Sequence, residues 1–335
     1  MATSPSLPQP GAVRAVALFS GGLDSVLAVQ VVRLQGIDVL GVSFETPFFS
    51  ARKAREAARQ IDLSLRVVDF ADEHLEMVKA PRYGYGRNMN PCIDCHALML
   101  RKAGGIMEET GAAFILTGEV LGQRPMSQGK QSLYVVAKNS GYLDRVVRPL
   151  SALLLPETAP EREGKVDRER LLAIQGRGRK IQMQMAADMG ITRYETPAGG
   201  CLLTDVSFSR RLRDLFAHNP GCTPRDVEML KQGRHFRIDE RTRAVVGRNH
   251  RDNLAIERAA GDRYTLIRMA GYPGPLTALS PGWSEEGLRL AASLCVLYSD
   301  APKDRPVEVN IRAGTATRSL EVAAATPDEA AGRLV

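Results

Sequence analysis

The sequence has no apolar run approaching the roughly 20 residues that a helix needs to cross a bilayer. Its first thirteen residues have neither a basic start nor an apolar core, so they lack the pattern of a secretory signal. Cysteine is scarce, with five in 335 residues, too few and too unevenly spaced for a disulfide framework. No Gly-Lys-Ser/Thr closes a glycine loop, which excludes the usual nucleoside triphosphatase loop, and no second glycine pattern supports a dinucleotide fingerprint. There is no internal repeat, and low-complexity sequence is confined to the two termini. These absences lead us to expect a cytoplasmic, non-membrane protein with reduced thiols, in which a Cys-x-x-Cys pair points to metal or redox chemistry.

What is present suits a globular protein of two domains, with 44% hydrophobic and 25% charged residues. After a frayed tail over 1–13, apolar strands are expected at Arg14 to Phe19, Ile37 to Phe44, Leu65 to Phe70 and Ala112 to Thr117. Helical patterns alternate with them at Leu23 to Leu34, Ala51 to Gln60, Ala71 to Lys79 and His96 to Thr110, and Val166 to Met189 reads as a long helix interrupted at Gly176. This alternation predicts an α/β domain over 14–200, a doubly wound parallel sheet with helices on both faces. The texture then changes to short strands at Phe236 to Ile238, Ala244 to Val246, Tyr264 to Ile267 and Val307 to Ile311, with a helix from Glu285 to Tyr298, predicting a smaller α+β domain over 205–335.

Ser20-Gly21-Gly22-Leu23-Asp24-Ser25 stands where the first strand hands over to a helix, so glycine-freed backbone N–H groups and the helix N-terminus face an anion together. The hexapeptide resembles the signature of the PP-loop ATPases. That resemblance implies an adenine nucleotide alpha hydrolase-like domain that cleaves ATP between its α and β phosphates, yielding AMP, pyrophosphate and an adenylated substrate. It implies that Ser20, Gly21, Gly22 and Ser25 hold the pyrophosphate and that Asp24 organises phosphate and Mg²⁺.

Ile115 to Gln123, with Gly118, Glu119, Gly122 and Gln123, followed by Ser127-Gln128 and Arg148-Pro149-Leu150, resembles tRNA 4-thiouridine synthetases of the ThiI type. It departs from them at Arg124-Pro125-Met126. Physically, the glycines let the chain pass close to a nucleotide, and Glu119, Gln123 and Gln128 offer polar side chains at a strand end. Asn90-Pro91-Cys92-Ile93-Asp94-Cys95-His96 resembles a loop of 2-thiouridine synthetases and iron–sulfur-dependent thiolases, and Ala198-Gly199-Gly200-Cys201 stands where that family keeps a reactive cysteine. Cys92, Cys95 and Cys201 would then hold a [4Fe–4S] cluster with one iron open for sulfide. The same thiols also suit persulfide chemistry on Cys201, or zinc with His96 as a fourth ligand.

The net charge of +7 is concentrated between Lys231 and Arg251, where seven basic residues face only Asp239 and Glu240. Gly233 to Arg237, Val245 to Asn249, Asn253, Gly274-Pro275 and Leu297 to Ser299 resemble the RNA-binding module of the NFACT family. Arg234, His235, Arg237 and Arg248 are candidate phosphate contacts there, and Arg177, Arg179 and Lys180 extend the positive surface from the first domain. Phe236, Tyr264 and Tyr272 could stack on exposed bases or fill the core, and for each core packing is the expected role.

Together these features point to an ATP-dependent tRNA sulfurtransferase that replaces a uridine oxygen with sulfur. The expected product is 4-thiouridine at position 8, with 2-thiouridine as the alternative, and the expected sulfur source is sulfide or a donor such as a cysteine desulfurase. A homodimer is compatible with this reading. The competing readings are an amide-forming PP-loop ligase, which lacks any use for three placed thiols, and a non-catalytic RNA-binding protein, against which Asp24 and Ser25 stand intact.

Overall fold

The computed structural model describes residues 13–124, 126–194 and 201–335. The expected tail, apart from Val13, lies outside the described residues, as do Pro125, Ala198, Gly199 and Gly200. The chain divides into two compact units, Met1–Thr204 and Asp205–Val335.

The first unit runs β1 (Arg14–Leu18), α1 (Leu23–Arg33), β2 (Asp38–Glu45), α2 (Arg52–Gln60), β3 (Leu65–Asp69), α3 (Ala71–Lys79), α4 (Cys92–Glu109), β4 (Phe114–Thr117), α5 (Lys130–Ser140), β5 (Val146–Val147), the single turn α6 (Ala159–Arg162) and α7 (Lys180–Asp188). All five strands pair in parallel in the order β3-β2-β1-β4-β5, with Ala15 opposite Val39 on one side and Phe114 on the other. On β1, Ala15 and Ala17 pack against α1 and α2, while Val16 packs with α4 and α5 on the opposite face. A strand covered on both faces must be apolar throughout, which is why this run shows no alternation. The sheet is the doubly wound one expected, and its order reverses between β1 and β4. The loops leaving those two strands part at their carboxyl ends and open a crevice there.

The structure corrects two helices. The one expected over 166–189 forms only as α7, because Gly176 takes φ +84° and its N–H donates to the Leu121 carbonyl at 2.8 Å, drawing this stretch alongside the loop after β4. The helix expected from His96 begins four residues earlier, with Pro91 at its N-cap, so Cys92 and Cys95 both lie in the first turn of α4 rather than in the loop before it.

The second unit contains α8 (Val206–His218), α9 (Pro224–Met229), β6 (Arg234–Arg237), β7 (Arg243–Val246), α10 (His250–Ala260), β8 (Thr265–Met269), β9 (Thr277–Leu279), α11 (Glu285–Leu297), β10 (Val307–Ala313), β11 (Ala316–Val322) and α12 (Pro327–Arg333). Its six-stranded antiparallel sheet has the order β11-β10-β8-β9-β7-β6. On one face Phe236, Val246, Ile267 and Leu279 pack against Leu288, Ala291 and Cys295 of α11. On the other, Val245, Leu266 and Ala278 meet Met229 of α9 and Ile256 and Ala260 of α10.

His235 stands opposite Val245 in the β6–β7 ladder and is fully buried, its Nε2–H donating to the Gln232 carbonyl at 2.7 Å. Burial, and then the nearby Arg243 and Arg211, hold its pKa well below that of an ordinary histidine, against the weaker pull of that carbonyl. The folded unit therefore keeps His235 neutral, while the unfolded chain protonates it below about pH 6.5. Stability of the second unit, followed by fluorescence of Trp283, the single tryptophan of the chain, should fall as pH drops below about 6.5, and His235→Asn should flatten that fall. An identical pH slope in the variant would assign the dependence to other groups.

Candidate functional site

After β1 the chain turns through Ser20, Gly21 and Gly22 into α1. Gly21 has φ +76°, and a Cβ there would strike the backbone carbonyl of Lys53, so both conformation and space demand glycine. Gly22, at the N-cap, supplies no capping side chain, leaving the first-turn N–H groups of α1 available to an anion. The Ser25 hydroxyl donates to the Gly22 carbonyl at 2.8 Å and has Ser20 Oγ 3.4 Å away. From the other side, the loop after β4 is pressed onto this turn: a Cβ on Gly118 would lie 2.5 Å from the Ser25 nitrogen. The cradle therefore sits where the sheet order reverses.

Asp24 faces this crevice. Its Oδ2 accepts a hydrogen bond from Gln123 Nε2 at 2.8 Å and lies 3.4 Å from Arg179 Nη2, while Oδ1 is buried without a hydrogen-bond partner. An unsatisfied buried carboxylate oxygen beside an anion cradle is the donor chemistry that Mg²⁺ fits. Gln123 is held in turn by Gln182 Nε2 at 3.2 Å, a fully buried side chain of α7 that no motif singled out. Arg179 is thus part of the cradle and not of the outer basic surface, where Arg177 and Lys180 do lie exposed. Gly122, at φ +74°, donates its N–H to the Gln128 carbonyl at 2.8 Å, and buried Gln128 keeps an unpartnered Oε1.

Glu119, expected to offer a polar group to nucleotide, is committed elsewhere. Its Oε2 accepts from Arg148 Nε at 2.9 Å and from the Thr117 hydroxyl at 3.1 Å, and its Oε1 meets His96 Nδ1 at 3.1 Å. Burial by itself would raise the Glu119 pKa, but the charge of Arg148 and then His96 outweigh it and lower the pKa to about 2. Because His96 follows Cys95 in α4, this carboxylate ties the loop beside the phosphate cradle to the cysteine turn.

Cys95 is buried with its sulfur 3.3 Å from His74 Nε2, and Cys92 lies 3.0 Å from Asn90 Oδ1. Burial pushes both thiols up, and pushes Cys201 to about 11. Cys92 and Cys201 act electrostatically on Cys95, and Cys92 on Cys201, so these thiols share one neighbourhood. The stretch after Cys201 is fastened there by Met89 N–H to the Leu203 carbonyl at 3.1 Å and by Asn88 Nδ2 to the Thr204 carbonyl at 2.7 Å. Among the described residues, no group of three or more His, Cys, Asp or Glu side chains is gathered to hold a metal ion. His74 was not foreseen; a lone histidine in an ordinary helical pattern carries no signal of its neighbour.

In the second unit the candidate RNA contacts separate. Arg234 lies 4.6 Å over the Tyr298 ring, Arg237 pairs with Asp214, and Arg248 pairs with Asp252 at 2.6 Å. His235, expected on the surface, is buried, because residue alternation on β6 turns it into the sheet face. Phe236 and Tyr264 are core residues, as expected, whereas Tyr272, expected in the core, is exposed.

Residues 11–154 match the family model of the thiamine biosynthesis protein ThiI, and residues 233–333 match that of the NFACT protein RNA binding domain. The first unit is thus similar to the ThiI family over residues 11–154. The tRNA-specific 2-thiouridylase MnmA of Bradyrhizobium diazoefficiens is 27% identical over 180 residues, 45% of this chain and 46% of the relative. That of Syntrophotalea carbinolica is 30% identical over 174 residues, 43% of this chain and 48% of the relative. A probable tRNA sulfurtransferase of Caldanaerobacter subterraneus is 32% identical over 147 residues, 41% and 36% of the two chains. The chain thus spans about half the length, or less, of these relatives. Among the described residues, no helix is long and apolar enough to cross a membrane.

Within the first unit, replacing Glu119 by Gln would leave the guanidinium of Arg148, 8% exposed, without its charge partner. Breaking such a buried pair costs about 3–5 kcal/mol. Urea unfolding followed by circular dichroism should show a loss of that order for Glu119→Gln at neutral pH, and a parent-like midpoint would show that the network does not hold the site together. The contribution of Glu119 is present above the unfolded carboxyl pKa of about 4.3. It is lost as the pH falls towards about 2.

Proposed function

We propose that this chain is an ATP-dependent tRNA sulfurtransferase, and that it activates a uridine carbonyl as its adenylate before sulfur replaces the oxygen. The observation that carries the reading is Glu119, which joins the loop pressed on the phosphate cradle to the turn bearing Cys92 and Cys95. An anion site and a set of thiols held by one buried carboxylate belong to one reaction.

The pyrophosphate portion of ATP binds the α1 N-terminus, with Ser20, Gly21, Gly22 and Ser25 around it and Asp24 beside Mg²⁺. The uridine oxygen attacks the α phosphorus, the bond to the β-phosphate oxygen breaks, and pyrophosphate leaves. Positioning and neutralisation of charge are what this transfer asks of the protein. Sulfide then adds to the activated carbon, and AMP departs with the original oxygen. Cys92, Cys95 and Cys201, which among the described residues are not gathered into a metal-binding group, would hold a [4Fe–4S] cluster once drawn together, and that cluster would carry the incoming sulfur. The sulfur comes from sulfide or a donor protein, the RNA is gripped by the NFACT-type unit together with Arg177 and Lys180, and position 8 of tRNA is the favoured target.

One observation favours a second reading, in which zinc is held by these thiols and His96. The His96 Nδ1–Glu119 contact is the carboxylate partnership that metal-bound histidines keep.

The test is anaerobic purification, metal and acid-labile sulfide analysis, and incubation of unmodified tRNA with ATP, Mg²⁺ and sulfide. About four irons per chain, lost when Cys92, Cys95 and Cys201 are replaced by Ala, with thiouridine formed alongside AMP and pyrophosphate, is the expected result. One zinc per chain would select the second reading. Failure to form thiouridine or release pyrophosphate with tRNA present would overturn the proposed function.

A further inference from the structure

Between Glu76 and Asp94 the chain carries Lys79, Arg82 and Arg87 and no acidic residue, with Tyr83 and Tyr85 among them. This stretch links α3 to α4. Tyr83 and Tyr85 are 43% and 40% exposed, yet neither ring is loose. Tyr83 Oη accepts from Asn139 Nδ2 at 2.8 Å, and the Tyr83 backbone N–H donates to Asp94 Oδ2 at 3.0 Å. The Tyr85 hydroxyl donates to the Val78 carbonyl, in the last turn of α3, at 2.6 Å. Each ring is thus fixed by its polar end while much of the residue stays in contact with water.

A cavity of about 330 Å³ opens beside Tyr83, within the range of about 300–1000 Å³ that small-ligand pockets occupy. Met77 and Leu98 supply apolar surface, Tyr83 an aromatic ring, and Asp94, Arg101 and Asn139 polar groups. Asn139 gathers the cations: its Oδ1 accepts from Arg82 Nη1 at 3.3 Å and its carbonyl from Arg101 Nη2 at 2.9 Å. The Arg82 guanidinium lies 5.5 Å over the Tyr83 ring. Glu73, which also borders the cavity, is paired with Lys102, so it does not answer these guanidiniums.

The same stretch ends on the thiols. Asn88 and Met89 hold the carbonyls of Thr204 and Leu203 in the segment after Cys201, and Asn90 Oδ1 accepts from Cys92 Sγ at 3.0 Å. Asp94 stands between Cys92 and Cys95 in the first turn of α4. Fixed rings, an apolar cavity and unanswered guanidiniums suit an unpaired nucleotide, whose base stacks through its face and bonds through its edge. A base inside a duplex offers neither ring face.

We infer that the cavity beside Tyr83 takes an unpaired base of the RNA substrate, stacked on the Tyr83 ring, and that Tyr85, Arg82 and Arg87 carry the adjoining strand to the thiol turn. The inference rests on the reading of RNA as the substrate. It adds that the first unit reads bases of a locally single-stranded segment, a role separate from that of the second unit.

The test uses the full chain and a short oligouridine containing 5-iodouridine, which on irradiation joins to an aromatic ring stacked against it. Mass spectrometry should place the crosslink on Tyr83, and the same strand annealed to its complement should give none. Tyr83→Leu, a change at an exposed position, should abolish this crosslink and weaken binding of the strand, read by fluorescence anisotropy, about five-fold or more. Tyr83→Phe keeps the ring and should bind and crosslink as the parent does. A loss in Tyr83→Phe equal to that in Tyr83→Leu would assign the effect to the Asn139 bond and overturn the stacking. Crosslinks confined to residues 205–335, or undiminished binding by Tyr83→Leu, would overturn the site. Suppression of the crosslink by equimolar uridine monophosphate would give the cavity to a free nucleotide and overturn the RNA assignment. Thiouridine formation is scored separately: a parent that crosslinks at Tyr83 without forming thiouridine keeps this site and loses the proposed reaction, and the reverse result loses this site alone.

Discussion

The carboxylate of Glu119 is the interaction on which the first unit's site depends. It is buried at the end of β4, a place where an isolated charge would be expelled, and it stays because Arg148 and His96 converge on it from β5 and α4. Those partners come from segments far apart in the chain, so the ion network welds the β4 loop, the strand beside it and the first turn of α4 into one body. The neighbouring Gly118 then rests on the backbone of Ser25 with no room for a side chain. The turn around Ser25 and the cysteine turn are thereby linked through the loop after β4.

The topology explains why this weld works. A parallel sheet that reverses its order between β1 and β4 leaves a crevice at the carboxyl ends of those two strands. The cradle enters from β1 and the Gly118-Glu119 loop from β4. The antiparallel run of α4 against β4 brings its N-terminal turn, and hence Cys92 and Cys95, to the same edge. Asp24 stands at the same place, with one oxygen tied to Gln123 and the other buried without a hydrogen-bond partner.

The second unit handles charge differently. Its basic run reads as a uniform surface when counted along the chain, yet the fold sorts it. Arg237 and Arg248 take carboxylate partners, Arg234 covers an aromatic ring, and Arg243 and His235 turn inward. Charge density along a sequence is therefore a poor guide to charge density on a surface when helices cover both faces of a sheet and bury strand residues on each.

By itself the sequence determined the layered class of the first unit, because strands buried on both faces must be apolar runs and the intervening helices show their own period. It also marked the Ser-Gly-Gly turn between a strand and a helix, and the Cys92 and Cys95 pair with Cys201, as places to look for chemistry. Only the tertiary structure decided which polar groups are free. Glu119, Gln123 and Gln128 look alike at a strand end, but one is locked in an ion network, one holds Asp24, and one keeps an unpartnered oxygen. The helix expected before α7 failed because a long-range bond from Gly176 to Leu121 outweighs local propensity, and His74, Gln182 and Arg148 acquire their roles from partners 21 to 59 residues away. Local patterns record what a segment prefers; which atoms meet is settled by packing between segments, and that information is not local.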